Sequence, residues 1–346
     1  MSEVVRPPAS RSPTLEDVAK VAGVSRATVS RVINTTRNVD PAIRDTVQQA
    51  IAATGYVPNS AARSLVTKRT GTIALVLSGA QDLSSSQVFV DPFFGRAAGG
   101  VVNFLRTRGR HPVVMLADTD ESRTHVVDHL RQGNADGAVL ISTHSTDPLP
   151  KLLVDAGQPV ALYARPPKPL AISYVDLAHA QGAAMAADHL VARGCQRVVT
   201  ISGPLDVFAS QDRLSGFQTA MARHGRPVVP HVEGNFTQDS GEIAMRRLLA
   251  EQPDLDGVFA ANDLMAQGAL DVLREHGRRV PADVAVIGFD DSSAAQASRP
   301  ALTTIRQPVE DMAGELTRLL LDSLDQTERR VTSVIFEPTL VIRQSA

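Results

Sequence analysis

TLEDVAKVAGVSRATVSRVIN, residues 14–34, reads as two short helices meeting at a glycine. Thr14 stands where an N-cap belongs and Asp17 follows three residues later, the spacing of a capping box, while Leu15, Val18, Ala19 and Ala22 return on one helical face. Gly23 closes that helix, because glycine enters the left-handed region without steric cost. Ser25 is placed to cap the second helix, from which Val29 and Val32 point back to the first. A third helix, opened by Asp40 and Pro41, runs through Ile43, Val47 and Ile51 to Gly55. Three short helices around so tight a turn form either an ordinary small bundle or a helix-turn-helix. The short glycine turn favours the second, whose second helix lies in the major groove of DNA. The outer face of that helix carries Ser25, Arg26, Ala27, Thr28, Ser30 and Arg31, hydroxyls and guanidiniums of the kind that hold phosphates and guanine edges.

Charge supports that choice. Residues 1–70 hold ten Lys/Arg against five Asp/Glu, and the remainder of the 346-residue chain holds 25 against 32, so the formal charge of -2 hides a basic head on an acidic body. Such a head suits contact with phosphates, although a merely solvated basic segment would look similar. The single cysteine, Cys195, leaves no intrachain disulfide and fits a reducing compartment. No apolar run approaches the ~18 residues that span a bilayer, and the first residues carry no apolar signal core, so a cytoplasmic protein without membrane contact is expected.

Outside the head, the expected organisation is a disordered arm over residues 1–13, the helix-turn-helix domain over 14–58, and a hinge helix with linker over 59–70. The helix of the hinge would be capped by Asn59 or Ser60 and continue through Ala61–Leu65, barely two turns, which is marginal unless a partner supports it. From Thr72 the texture changes. TIALVLS, PVVML, GAVLIS and PVALY read as buried strands separated by helices near Pro92–Arg108, Ser122–Gln132 and Leu149–Ala156. A second series, RVVTIS, GVFAA and DVAVIGF, alternates with helices near Ala178–Arg193, Leu214–Arg223, Asp239–Ala250 and Asp263–His276. A last helix near Val309–Asp325 and the strand FEPTLVI follow. The fold class is therefore α/β: an all-α head on a body of two doubly wound parallel-sheet subdomains, whose ligands sit beyond the carboxyl ends of the strands.

The residues then resemble a family. The opening TLEDVAKVAGVSRATVSRVIN, the stretch YVPNSAARSL, HLVARGCQRVVTISGP, DRLSGF, VFAANDLMAQGAL, DVAVIGFDD and PALTTIRQP together are similar to the LacI/GalR transcriptional regulators, in order and over nearly all of the chain after Pro13. The resemblance implies a periplasmic-binding-protein-like body over residues 71–346. Its N-subdomain would cover about 71–170 plus 305–333 and its C-subdomain about 171–304 plus 334–346. It also implies a homodimer on pseudo-palindromic double-stranded operator DNA and a small sugar effector. Arg26, Ala27 and Arg31 would face bases, Ser25, Thr28, Ser30 and Asn34 would hold phosphates, and Asn59 to Leu65 would add to the grip. There Leu65 would wedge into the minor groove or, alternatively, pack between hinge and body. By position Arg213, Asn262 and Asp290 would line the effector cleft; Phe236 either stacks on a sugar or belongs to the core. Where the lactose repressor has an acidic residue after its fourth strand, this chain has Ala164 and then Arg165, so lactose-type recognition does not transfer and Arg165 becomes a polar contact instead. ISYVDL, DPLPKLLVDAG and SGPLDVFASQDRLSGF are similar to actinobacterial cello-oligosaccharide repressors, which implies a β-glucoside effector controlling carbohydrate utilisation genes. A purine-like corepressor is the alternative.

No catalytic elbow, phosphate loop or His-Glu-x-x-His zinc motif is present, and no cofactor or catalytic residue is expected. His125 and His129 lie one helical turn apart without a third ligand, and Asp291 reads as a turn cap.

Overall fold

The computed structural model describes residues 13–33, 39–57, 69–78, 91–142, 144–326 and 330–346, and the chain divides into two compact units, Met1–Thr70 and Gly71–Ala346. In the first, α1 (Leu15–Ala22), α2 (Arg26–Ile33) and α3 (Pro41–Thr54) begin and end where the caps place them. The Thr14 amide and hydroxyl both donate to the Asp17 carboxylate, at 2.8 and 2.7 Å. Gly23 and Gly55 take φ of 66° and 65° after α1 and α3, and Asp40 accepts the Ala42 amide at 2.8 Å. Val18, Val29, Val47 and Ala50 are the buried centre, with Leu15, Ala19, Val32, Ile51 and Tyr56 packed around it. So small a core supplies little burial energy, which is why the caps count.

The second unit contains two six-stranded sheets. The first has the order β11-β5-β4-β3-β1-β2 and is parallel throughout. It consists of β1 (Thr72–Ser78), β2 (His111–Ala117), β3 (Ala138–Ser142), β4 (Val160–Tyr163), β5 (Ser173–Leu177) and β11 (Ser333–Phe336). The second has the order β12-β10-β9-β8-β6-β7 and is parallel except for its antiparallel edge, β12. It consists of β6 (Val198–Ser202), β7 (His231–Glu233), β8 (Gly257–Ala260), β9 (Ala285–Asp290), β10 (Thr303–Arg306) and β12 (Thr339–Val341). Helices α4 (Pro92–Thr107), α5 (Asp120–Arg131) and α6 (Leu149–Asp155) belong to the first lobe. Helices α7 (His179–Ala192), α8 (Phe208–Arg223), α9 (Gln238–Glu251), α10 (Asp263–Glu275) and α11 (Ser293–Ala297) belong to the second, and α12 (Val309–Asp325) returns to the first, against α4.

Several expectations are corrected here. PVVML is not a buried strand: it lies in β2, an edge, with Val113 and Val114 40% and 53% exposed. FEPTLVI is two strands, not one, because Phe336 ends β11 in one sheet and Thr339 begins β12 in the other. The pairing of β5 with β4 and β11 keeps Ser173–Leu177 in the first lobe, so the first crossover follows Leu177 rather than residue 170. Likewise Thr303–Arg306 pairs with β9, which moves the second crossover beyond Arg306, and the third follows Phe336 rather than residue 333.

Candidate functional site

On the head, Ser25, Arg26, Ala27 and Arg31 are exposed, and Thr28 and Ser30 partly so. The turn uses some of these groups itself. Ser25 Oγ accepts the Thr28 amide at 3.1 Å and shares a 2.9 Å hydrogen bond with the Thr28 hydroxyl. Arg26 Nη1 lies 3.1 Å from Glu16 on α1. A pair this exposed is worth at most about 1 kcal/mol, so phosphate or base can take the guanidinium over at little cost. Asn34, Asn59 and Leu65 lie outside the described residues.

The body encloses a cavity of about 770 Å³, lined by residues that follow the carboxyl ends of strands in both sheets. This is where doubly wound sheets place ligands. Arg213, on α8, is its central cation and is 5% exposed. It donates through Nη1 to the Ala261 carbonyl at 2.5 Å, through Nη2 to Gln307 at 3.0 Å, and through Nε to His179 Nδ1 at 3.3 Å. Its Nη2 stands 3.4 Å from Asp290, and its guanidinium stacks 3.7 Å over the Phe289 ring. Because Nδ1 of His179 accepts, that ring carries its proton on Nε2, which faces Asp176 at 3.6 Å. Burial, reinforced by the Arg213 charge, lowers the His179 pKa and keeps it neutral.

Three carboxyl groups near Arg213 are held above the usual carboxylate range. Burial pushes the Asp290 pKa up to about 7; Arg213 opposes this, while Asp263 and Asp91 add to it. Asp263, fully enclosed, is pushed by burial to about 6 even though it accepts the Thr304 hydroxyl at 2.6 Å and the Ser292 amide at 2.7 Å. Asp91 is raised by burial as well, and one of its oxygens caps α4 by accepting the Phe93 amide at 2.9 Å. The backbone is strained at the same place. Of the four non-glycine residues with positive φ among the described residues, Ala164 (82°), Phe236 (67°) and Asp290 (104°) line the cavity. Each such residue costs on the order of 1–3 kcal/mol, and strain of this kind gathers at binding sites.

All five residues expected in the cleft line this cavity, and two of them, Asn262 and Arg165, are engaged by other parts of the protein. Asn262 is the N-cap of α10: its Oδ1 accepts the Met265 amide at 2.9 Å and its Nδ2 donates to the Phe236 carbonyl at 2.9 Å. Both ends of the amide are thereby used, the oxygen in the cap and the nitrogen in holding the strained Phe236. Arg165 bridges the lobes, its Nη2 2.6 Å from Asp212 on α8 and its guanidinium 5.9 Å above Phe208. A second bridge, unforeseen from sequence, joins His144 Nδ1 to Asp206 at 2.7 Å. Asp91, Gln307 and His179 were missed too. Asp91–Pro92 carried a helix-start signal, but nothing local marked the other two. Asp291 is structural: it binds Arg306 at 2.7 Å and Arg343 at 2.5 Å. Among the described residues no group of three or more His, Cys, Asp or Glu side chains is placed to hold a metal ion, and no helix is long and apolar enough to cross a membrane.

The chain is similar to known proteins over both of its units. Residues 14–59 match the model for bacterial regulatory proteins of the lacI family, and residues 187–346 that for the periplasmic binding protein-like domain. The transcriptional regulator CelR of Thermobifida fusca is 42% identical, over 97% of this chain and 98% of its own length. The ribose operon repressor of Escherichia coli K12 is 32% identical over 94% of this chain and 98% of its own. Among solved structures, a CelR–cellobiose complex superposes with a TM-score of 0.75 at 40% identity, covering 96% of this chain and all of that one. The lac repressor dimer bound to operator and the anti-inducer ONPF superposes with a TM-score of 0.79 at 25% identity, covering 97% and 99%.

Proposed function

The chain belongs to the lacI family of bacterial regulatory proteins, and on that premise we propose that it is a dimeric operator-binding repressor released from DNA when a cello-oligosaccharide such as cellobiose fills the cavity. The observation that carries this reading is the Arg213–Asp290 pair at the centre of a cavity also lined by Phe93, Phe236 and Tyr163. A guanidinium and a carboxylate side by side suit neighbouring sugar hydroxyls, one donating and one accepting in charge-assisted hydrogen bonds. Aromatic faces suit the C–H side of a pyranose. The identity to CelR, whose complex contains cellobiose, supports the same ligand class. On the head, Arg26 and Arg31 read guanine edges, Ala27 contacts a thymine methyl, and Ser25, Thr28 and Ser30 hold phosphates. Asn34, Asn59 and Leu65 complete the DNA contacts in this proposal. Two recognition helices of the dimer then occupy successive major-groove segments of a pseudo-palindromic site upstream of carbohydrate utilisation genes.

A duplex selected by the protein from random DNA serves as operator. Cellobiose added at fixed salt is expected to release it, since affinity for DNA is comparable only at one salt concentration. Unchanged retention with cellobiose, or tighter retention with a purine, would overturn the inducer reading.

A further inference from the structure

Arg96, on α4, does not line the cavity, yet it touches the backbone behind it. Its Nη1 donates to the Asp290 carbonyl at 2.8 Å and its Nη2 to the Gln307 carbonyl at 3.1 Å. The same guanidinium binds the Glu310 carboxylate of α12 in a fork, at 2.7 and 2.8 Å. Asp290 and Gln307 are two of the residues whose side chains hold Arg213, at 3.4 and 3.0 Å. One planar cation therefore joins the cavity floor, where Asp290 sits at φ 104°, to two helices of the other lobe.

We propose that Arg96 transmits occupancy of the cavity to α4 and α12, a positioning role that rests on the reading of the cavity as the effector site. A ligand that binds the Asp290 carboxylate reorients a strained peptide, and the carbonyl of that residue is what Arg96 grips. Movement of this carbonyl reaches both helices together, because Gly100 of α4 lies so close to α12 that a side chain there would run into the Glu310 carbonyl. Lysine cannot replace arginine in this role, since an ammonium lacks the flat fork that meets a carboxylate and two carbonyls at once. A further link, Gln307 Nε2 donating to Tyr163 at 3.1 Å, passes between side chains and bypasses the strained peptide.

The test separates binding from coupling in the full-length protein. In Arg96→Met, cellobiose affinity by calorimetry and sugar-free operator affinity are expected within about threefold of the parent, while saturating cellobiose weakens operator binding less than about twofold. The parent should show a weakening in the ordinary allosteric range of about 5–150-fold. Glu310→Gln, which keeps the two carbonyl bonds, serves if Arg96→Met folds poorly, and should lose part of the response. A parent-like response in these variants, or a uniform loss of stability, sugar binding and DNA binding, would overturn the proposal. A second arm needs no sugar. Asp290→Asn alone should shift operator affinity, and in the Arg96→Met background that shift should vanish. Additive effects in this cycle sink the proposal even if cellobiose proves not to bind, an outcome that by itself removes only the effector reading.

Discussion

The outer face of α2 and the cavity of the body are both recognition surfaces, and they are built in opposite ways. The α2 face is one continuous stretch of eight residues whose arginines stand in solvent, Arg26 in an exposed ion pair with Glu16. The cavity draws Asp91, His144, Arg165, Arg213, Asp290 and Gln307 from six separate segments and gives each a partner within the body: Arg213 holds Asp290 and Gln307, His144 holds Asp206, Arg165 holds Asp212, and Asp91 holds the Phe93 amide. The contrast teaches that the DNA face is ready for outside partners, whereas in the cavity a ligand has to exchange partners with groups already satisfied. Energy therefore changes hands within the body when ligand binds, which is what a switch requires.

The largest expected departure tests the cavity half of that contrast. Arg213→Met removes the cation from a buried carboxylate and strands the Ala261 carbonyl and Gln307, so the body should lose about 3–5 kcal/mol in denaturant titration along with its response to cellobiose. A loss under 1 kcal/mol would mean the cavity is no more interlocked than the head. Arg31→Ala should do the reverse, lowering affinity for the selected operator by about 1–3 kcal/mol, flattening preference at one base position and leaving thermal stability unchanged. Equal discrimination before and after the change would remove Arg31 from the reading face.

The pH dependence is expected to be smaller and confined to the body. The folded chain holds a proton on Asp290 up to about pH 7, far above an unfolded aspartate near 4. The folded state thus binds more protons between those values, and stability is full below about pH 4 and falls as pH rises through 7. Sugar hydroxyls donate to the ionised carboxylate, so cellobiose affinity should rise over the same interval, by less than about tenfold per pH unit, and Asp290→Asn should flatten both curves. A flat profile in the parent would detach Asp290 from the ligand. Smallest of all, Asp17→Ala removes the capping box and should cost the head about 0.5–2 kcal/mol, seen as an earlier melting of the three helices by circular dichroism with the body transition unmoved.

The same contrast decides what the sequence discloses. The ends of α1 and α3 rest on Thr14, Gly23, Asp40 and Gly55 and the start of α2 on Ser25, each within a few residues of its boundary, and all act as their chemistry predicts. The alternation of strands and helices in the body is legible for the same reason. What escapes is short or distant. His231–Glu233 and Thr303–Arg306 have no apolar run long enough to announce a strand, and their assignment comes from neighbours far along the chain. Arg213 and Asp290 are found through family resemblance and not through any local pattern. Arg96 and His144 have partners in the opposite lobe, which no local periodicity encodes. Asn262 lies at the cavity where the resemblance expects it, and its cap role shows only once the Met265 amide is seen on its oxygen, since Asn262 and Asp263 are both residue types that cap.

The split of one apparent strand into β11 and β12 also has a mechanical meaning. Only Glu337 and Pro338 lie between Phe336 in one sheet and Thr339 in the other. Three peptide units reach at most about 11 Å, so the edges of the two sheets are tethered at that seam whatever fills the space between them. The lobes can turn about the tether like the boards of a book about its spine, but they cannot be drawn apart as free bodies without unpairing a strand.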